Sequence, residues 1–307
     1  MFFLKGKFYK FFLLSIFLCL SQFSFAQQDV IEEIVVTGSY IKTSSKNDTS
    51  PVDIILRNEI NGIGAFLTSD IAKNLSINSG SENNTDAFTS GSTQGTSNIN
   101  LRGLGLSSTL VLIDGRRQTV TGATANDGSV FVNTSTIPLI AIQRVEVLKE
   151  GAASIYGSDA VAGVVNYIFR RDFEGFELDI SDKRTDAGNQ KDQSISFILG
   201  NQSNYLNWVL AASSLNRTAM QGIVKPELSQ LAISGLGNSF LLFGPSEVDQ
   251  GPYAGTYGPF ENIPDANCIE NNGILIPQSS GSRCGFLYGP RFNLVNDEDH
   301  ENLYFSL

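Results

Sequence analysis

The stretch Ile137–Asp172, "IPLIAIQRVEVLKEGAASIYGSDAVAGVVNYIFRRD", decides the fold. Pro138 is placed to open a short helical turn, since its fixed φ suits a first helical position and its missing N–H is not needed there. "RVEVLKE" then alternates, so Val145 and Val147 point one way while Arg144 and Glu146 point the other. "GAASIYGS" reads as a bend. "AVAGVVNYIF" is a second strand, with Gly163 allowing close backbone approach.

Moving toward the N-terminus, "STLVLIDGRR" (Ser108–Arg117) is a buried apolar strand that stops at the turn pair Asp114-Gly115. "SNINLRGLG" (Ser97–Gly105) reads as a short strand ending in glycines. The Ser-, Thr-, Asn- and Gly-rich stretches Ser76–Ser97 and Thr119–Ser129 are loops. Asp53–Leu75 carries a helix signal, with Ile71 and Leu75 four apart and Thr68 as the expected N-cap. Residues 50–172 are therefore expected to form one compact α/β domain.

From Phe173 the texture changes to alternating strands. Phe176, Leu178 and Ile180 share a face opposite Glu177, Asp179 and Ser181. Ile195, Phe197 and Leu199 share another, as do Leu206, Trp208 and Leu210, and "HENLYFSL" (His300–Leu307) alternates again. The intervening stretch 221–291 is a long Gly-, Pro-, Asn- and Ser-rich insertion. Such strands fit a transmembrane β-barrel, and the same pattern fits a soluble sandwich. In lipid a last strand without a closing partner would expose raw edges, so the chain is expected to be the N-terminal fragment of a longer barrel.

Residues 1–26 read as a secretion signal: Lys5, Lys7 and Lys10, an apolar run Phe11–Leu20, then "SFA" at Ser24–Ala26. The apolar run is short of the ~20 residues of a spanning helix, which leaves a signal anchor as the lesser alternative. Removing those three lysines from 21 basic residues leaves 18 against 31 acidic, a formal charge of −13. That balance argues against a nucleic-acid partner. Cys19 leaves with the signal, and the remaining pair, Cys268 and Cys284, reads as a disulfide in an exported chain. The single histidine, His300, lies in an acidic run and reads as a solvated residue; with no CxxC either, neither a metal nor a cofactor is expected. One histidine also leaves an exported enzyme without support. "GLGLSS" (Gly103–Ser108) lacks the final glycine and the helix of a nucleotide loop.

The ordered set "EEIVVTGS", "NINLRGLG", "TLVLIDGRR" and "AIQRVEVLKEGAASIYGSDAVAGVVNYIFR" resembles the plug region of TonB-dependent outer-membrane receptors, over Glu32 to Arg171. The resemblance implies an α+β plug domain at 50–172 followed by an incomplete antiparallel barrel at 173–307, with 221–291 as an extracellular loop. It implies active transport of a scarce nutrient across the outer membrane of a Gram-negative bacterium. The alternative is a truncated fragment acting at most as a ligand- or TonB-binding module. Residues 27–49 would be the Ton box and linker, with Glu33, Ile34, Val35, Val36 and Thr37 facing the periplasm. These would add as a strand to TonB, whose pull comes from the inner-membrane proton-motive complex. Arg102 and Lys149 would pair with carboxylates of the barrel wall. Phe88, Gln94, Gln118, Asn126 and Phe131, on the plug loops, would contact the ligand: a siderophore, cobalamin, haem or an oligosaccharide. The remaining partner would be outer-membrane lipid.

Overall fold

The computed structural model describes residues 34–35, 43–44, 52–82, 93–150, 152–187, 189–203, 205–230, 232–234, 239–241, 262–278 and 282–307. The expected secretion signal lies outside them. Ile34–Val35 (β1) and Thr43–Ser44 (β2) form a two-stranded sheet of their own.

The domain expected at 50–172 is built on a five-stranded mixed sheet. Its strands are β3 (Val52–Leu56), β4 (Thr109–Ile113), β5 (Arg116–Arg117), β6 (Ile142–Leu148) and β7 (Gly163–Phe169), in the order β3-β6-β7-β4-β5. Only β4 and β7 run parallel, with Thr109 opposite Gly163 and Ile113 opposite Tyr167. β7 is central and covered on both faces, with Val164, Val165 and Tyr167 fully buried. Its first residue must be glycine: at φ 141° a Cβ on Gly163 would collide with the Leu148 carbonyl and stand 2.7 Å from Leu101 Cδ1. Val145 and Val147 of β6 enter the main core with Ile60, Ile71 and Val165.

Short helices close that core. Arg57–Gly62 follows β3 directly, and Thr68–Asn74 presents Ile71 and Ala72 inward. Thr68 is not the N-cap. Leu67 takes the cap position, the Asp70 carboxylate accepts the amides of Phe66 and Leu67, and the Thr68 hydroxyl donates to the Ile137 carbonyl at 2.8 Å. Pro138 precedes a 3-10 turn, Leu139–Ala141, and Ala153–Tyr156 is one helical turn in the expected bend.

One further expectation needs correction. Ser97–Gly105 forms no ladder beyond the single bridge of Leu101 with Asn78. Asparagine side chains replace it: Asn98 exchanges hydrogen bonds with the Glu82 backbone, and Asn100 Oδ1 accepts the Gly105 amide. The face opposite Val145 and Val147, whose surroundings the alternation left open, is covered as well: Glu146 is fully buried, 2.8 Å from Arg144.

After the plug-like domain comes a four-stranded antiparallel sheet. Its strands are β8 (Gly175–Arg184), β9 (Lys191–Asn201), β10 (Trp208–Arg217) and, last in the chain, β18 (Glu298–Ser306), in the order β18-β10-β9-β8. Their lengths of 10, 11, 10 and 9 residues are those of a tilted membrane-crossing strand. Register aligns the apolar positions in rows: Leu178, Phe197, Ala212 and Leu303 in one, Phe176, Leu199, Leu210 and Phe305 in the next. This face is turned outward, Ile180 being 70% and Leu303 75% exposed. The opposite face carries Ile198, Val209 and Ala211, packed on Ile140 and Ala141. The sheet does not close among the described residues. It is an open wall beside a folded domain, as the resemblance implied, and not the sandwich that the alternation alone left open. No helix among the described residues is long and apolar enough to cross a membrane, which says nothing of strands.

Between β10 and β18 the insertion is folded into small sheets. β11 (Met220–Gln221) pairs with β17 (Asn293–Val295), and β13 (Ser239–Leu241) with β14 (Asn262–Pro264). β12 (Ile233–Ser234), β16 (Ser282–Leu287) and β15 (Gly273–Pro277) form a third sheet. Cys268 and Cys284 are bonded, their Cα atoms 5.8 Å apart, and Gly273 leaves room for both sulfurs.

Candidate functional site

Chain connectivity sets the plug-like domain against the polar side of the wall, and the residues between them make the candidate site. Glu177, on the inner face of β8, is gripped by two arginines: Arg170 at 2.7 Å and Arg57 at 3.7 Å. Arg57 also donates to the Leu139 carbonyl at 2.7 Å, and Arg170 lies over the Phe173 ring, 4.3 Å from its centroid. Burial, then the neighbouring Arg170 charge, pushes the Arg57 guanidinium below its ordinary pKa, and Glu177 opposes the shift. Two like charges this close are stable together only with their shared carboxylate. Further along β8, Lys183 donates to the Gly64 carbonyl at 2.7 Å and lies 4.0 Å from the centre of the Phe66 ring.

At the far end of the wall Arg217 is buried between Asp192 at 3.0 Å and Glu298 at 2.7 Å. His300 stands beside them, its Nε2 3.6 Å from Glu298 Oε2 and its side chain only 15% exposed. It is therefore not a solvated residue: alternation along β18 puts it with Glu298, Asn302 and Tyr304 on the face toward the plug-like domain. Asn302 donates to the Ser135 carbonyl at 3.3 Å, and Tyr304 meets Phe169 edge-on with ring centres 4.6 Å apart.

The residues singled out in the sequence fall differently. Arg102 sits at φ 58° and donates to the Ala162 carbonyl at 2.9 Å, clasping its own domain. Lys149 pairs with Asp53 across β6 and β3. Neither reaches a wall carboxylate among the described residues; the wall contacts fall to Arg57, Arg170 and Lys183. Gln94 accepts a hydrogen bond from Asn296, just ahead of β18, at 3.3 Å. Gln118 lines a cavity of about 320 Å³ with Thr119, Thr121, Asn133 and Thr136. Asn126 is exposed, its amide held by Glu82 at 2.9 Å. Phe131 is not a loop-surface aromatic: it is 3% exposed and packs on Leu106 and Ala125, because its loop folds back and its carbonyl accepts the Thr121 amide. Phe88, Glu33, Val36 and Thr37 lie outside the described residues. Ile34 and Val35 are β1, which takes no place in the five-stranded sheet.

A mixed-sheet domain seated by polar and apolar contacts against an open wall with an apolar outer face is the arrangement of a plug beside part of a barrel wall. Residues 45–164 match the TonB-dependent Receptor Plug Domain family, and the strands that follow this plug form an open antiparallel sheet. Among solved structures, the siderophore receptor PirA from Acinetobacter baumannii is similar at 20% identity and TM-score 0.46, over 62% of this chain and 28% of that one. The ferric enterobactin receptor PfeA from Pseudomonas aeruginosa, as a variant in complex with enterobactin, is similar at 19% identity and TM-score 0.47, over 64% and 29%. The ferric citrate transporter FecA, unliganded, is similar at 19% identity and TM-score 0.45, over 58% and 27%. The chain thus spans under a third of the length of each.

Proposed function

We propose that the full-length protein carrying this chain actively imports a scarce nutrient across a Gram-negative outer membrane, driven by TonB. The plug-family match, joined in one chain to a wall with an apolar outward face, carries this reading. Glu33, Ile34, Val35, Val36 and Thr37 face the periplasm and add as a strand to the edge of TonB, where main-chain hydrogen bonds supply the grip. Cargo binds on the opposite side, on the plug loops around Gln94, Gln118 and Asn126 and on the long insertion. Siderophores, haem, cobalamin and oligosaccharides are the candidate classes. For binding to signal anything, the cargo must hold two plug states with different affinity.

Radiolabelled uptake across ferric chelates, haem, cobalamin and oligosaccharides identifies the cargo. Val35→Pro in the full-length protein then tests the mechanism, because proline removes a ladder donor. Energised uptake is expected to vanish while surface binding of the same cargo is kept. Unchanged uptake would overturn the assignment of the TonB-binding segment.

A further inference from the structure

One carboxylate lies on the apolar side of the wall. Alternation along β18 sends Glu298, His300, Asn302 and Tyr304 toward the plug-like domain and so turns Glu301 outward, with Leu303 and Phe305. The outward row on one side of Glu301 is polar and paired within itself. It holds Asp182, Gln193, Asn216 and Asp299. Gln193 donates to Asp182 at 3.0 Å, and Asn216 donates to Asp299 at 2.6 Å. The outward row on the other side is the apolar one of Leu178, Phe197, Ala212 and Leu303. Glu301 thus stands at the border of the two zones, and among the described residues it has neither a hydrogen bond nor an ion pair.

Beside Glu301 the face is furrowed. The outward residues of β10 are small here, and register sets each between larger neighbours. Ser214 lies between Ile195 and Glu301, and Ala212 between Phe197 and Leu303. The result is a furrow of about 480 Å³ along β10. Leu210, between Leu199 and Phe305, ends the run of small residues. The furrow is therefore apolar for most of its length and carries one free carboxylate at the end next to the polar row. An ionised side chain on a face that meets lipid is costly unless it finds a partner.

We propose that this furrow binds one membrane lipid with a primary-ammonium headgroup. An acyl chain lies over Ala212, between Phe197 and Leu303, and the ammonium pairs with Glu301 beside the Ser214 hydroxyl. The inference rests on reading the sheet as a barrel wall in the outer membrane. Charge decides the occupant. The ammonium supplies the cation that Glu301 lacks, at the border where a headgroup joins its chains. A purely anionic headgroup would bring a like charge to the same place. Apolar burial of the chain holds either lipid, so discrimination falls to the carboxylate.

The test needs neither cargo nor TonB. The full-length receptor is purified in a non-ionic detergent and titrated with phosphatidylethanolamine or with phosphatidylglycerol of the same chains. Bound lipid is counted by native mass spectrometry. The parent is expected to hold one phosphatidylethanolamine at least tenfold more tightly than phosphatidylglycerol. Glu301→Gln is expected to erase that preference and Glu301→Lys to invert it. Ala212→Phe, which fills the furrow, is expected to weaken both lipids at least tenfold, whereas Ile180→Phe, on the same face outside the furrow, changes neither. A phosphatidylethanolamine with a diazirine on its chain is expected to label the peptide carrying Ala212 in the parent and to lose that labelling in Ala212→Phe. Equal retention of the two lipids by the parent, or a preference that Glu301→Gln leaves intact, would overturn the site. The import reading fails separately: a receptor that shows the headgroup preference but takes up no cargo under energised conditions would overturn the TonB reading and leave the furrow standing.

Discussion

At the scale of single residues, charge and backbone conformation are spent on fixing bends. Asp114, at φ 48°, makes the turn between β4 and β5, and its carboxylate then accepts the Phe169 amide at 2.9 Å and Arg171 at 2.8 Å. Arg102 holds a left-handed conformation that costs a side-chain residue about 1–2 kcal/mol. Arg102→Ala keeps that strain and loses the clasp on Ala162, whereas Arg102→Gly loses only the clasp. The glycine variant is therefore expected to melt later than the alanine variant. Glu146→Ala leaves Arg144, 12% exposed, facing an empty buried position. Loss of one partner from a buried pair costs about 3–5 kcal/mol. Amide exchange across β6 and β7 should quicken accordingly. Alternation in the sequence placed Val145 and Val147 correctly on one face. It could not tell that the other face is also covered, because period two reports sides and not what lies beyond them. Phe131 escaped for a similar reason: a loop composition does not reveal that the loop folds over its own aromatic.

Among the elements, those with strong local causes were legible. The wall strands follow from alternation, and the β4–β5 turn from Asp114-Gly115. The segment Ser97–Leu101 was not, since the side chains of Asn133, Asn78 and Thr109 accept its Ser97, Asn100 and Leu101 amides in place of a neighbouring strand, a pattern that looks like a strand in composition. The turn at Asp127–Ser129 carries a pH prediction. The Ser129 hydroxyl and amide hold the exposed Asp127 carboxylate below its ordinary range. A depressed carboxylate stabilises above the unfolded value, about 3.9, and loses that contribution as pH falls through the folded one. Protection of the Ser129 amide is expected to be unchanged from neutral pH to about 5 and to fall below about 4. In the long insertion, Cys268→Ser with Cys284→Ser removes a closure over 16 residues of separation. Protease cleavage is expected to rise within 262–287 and to stay unchanged in the five-stranded sheet.

For the molecule as a whole, the family and the two-part plan could be read from ordered motifs, but the contacts between the parts could not. Gly64 and Lys183 meet across 119 positions, and Arg57 reaches Leu139 across 82. No spacing rule connects such pairs; only the chain's path does. That path has a mechanical corollary. β3 is the first strand of the five-stranded sheet in chain order, and it lies at the border of that sheet, bonded among the described residues to β6 alone through the five pairs Val52–Leu148 to Leu56–Arg144. A load applied to the chain ahead of β3 would therefore meet a border ribbon held on one side only, and the helix Arg57–Gly62 comes next in line. The three inner ribbons, β6, β7 and β4, lie behind that outer one in the order of the sheet, so unravelling from that margin would reach them last.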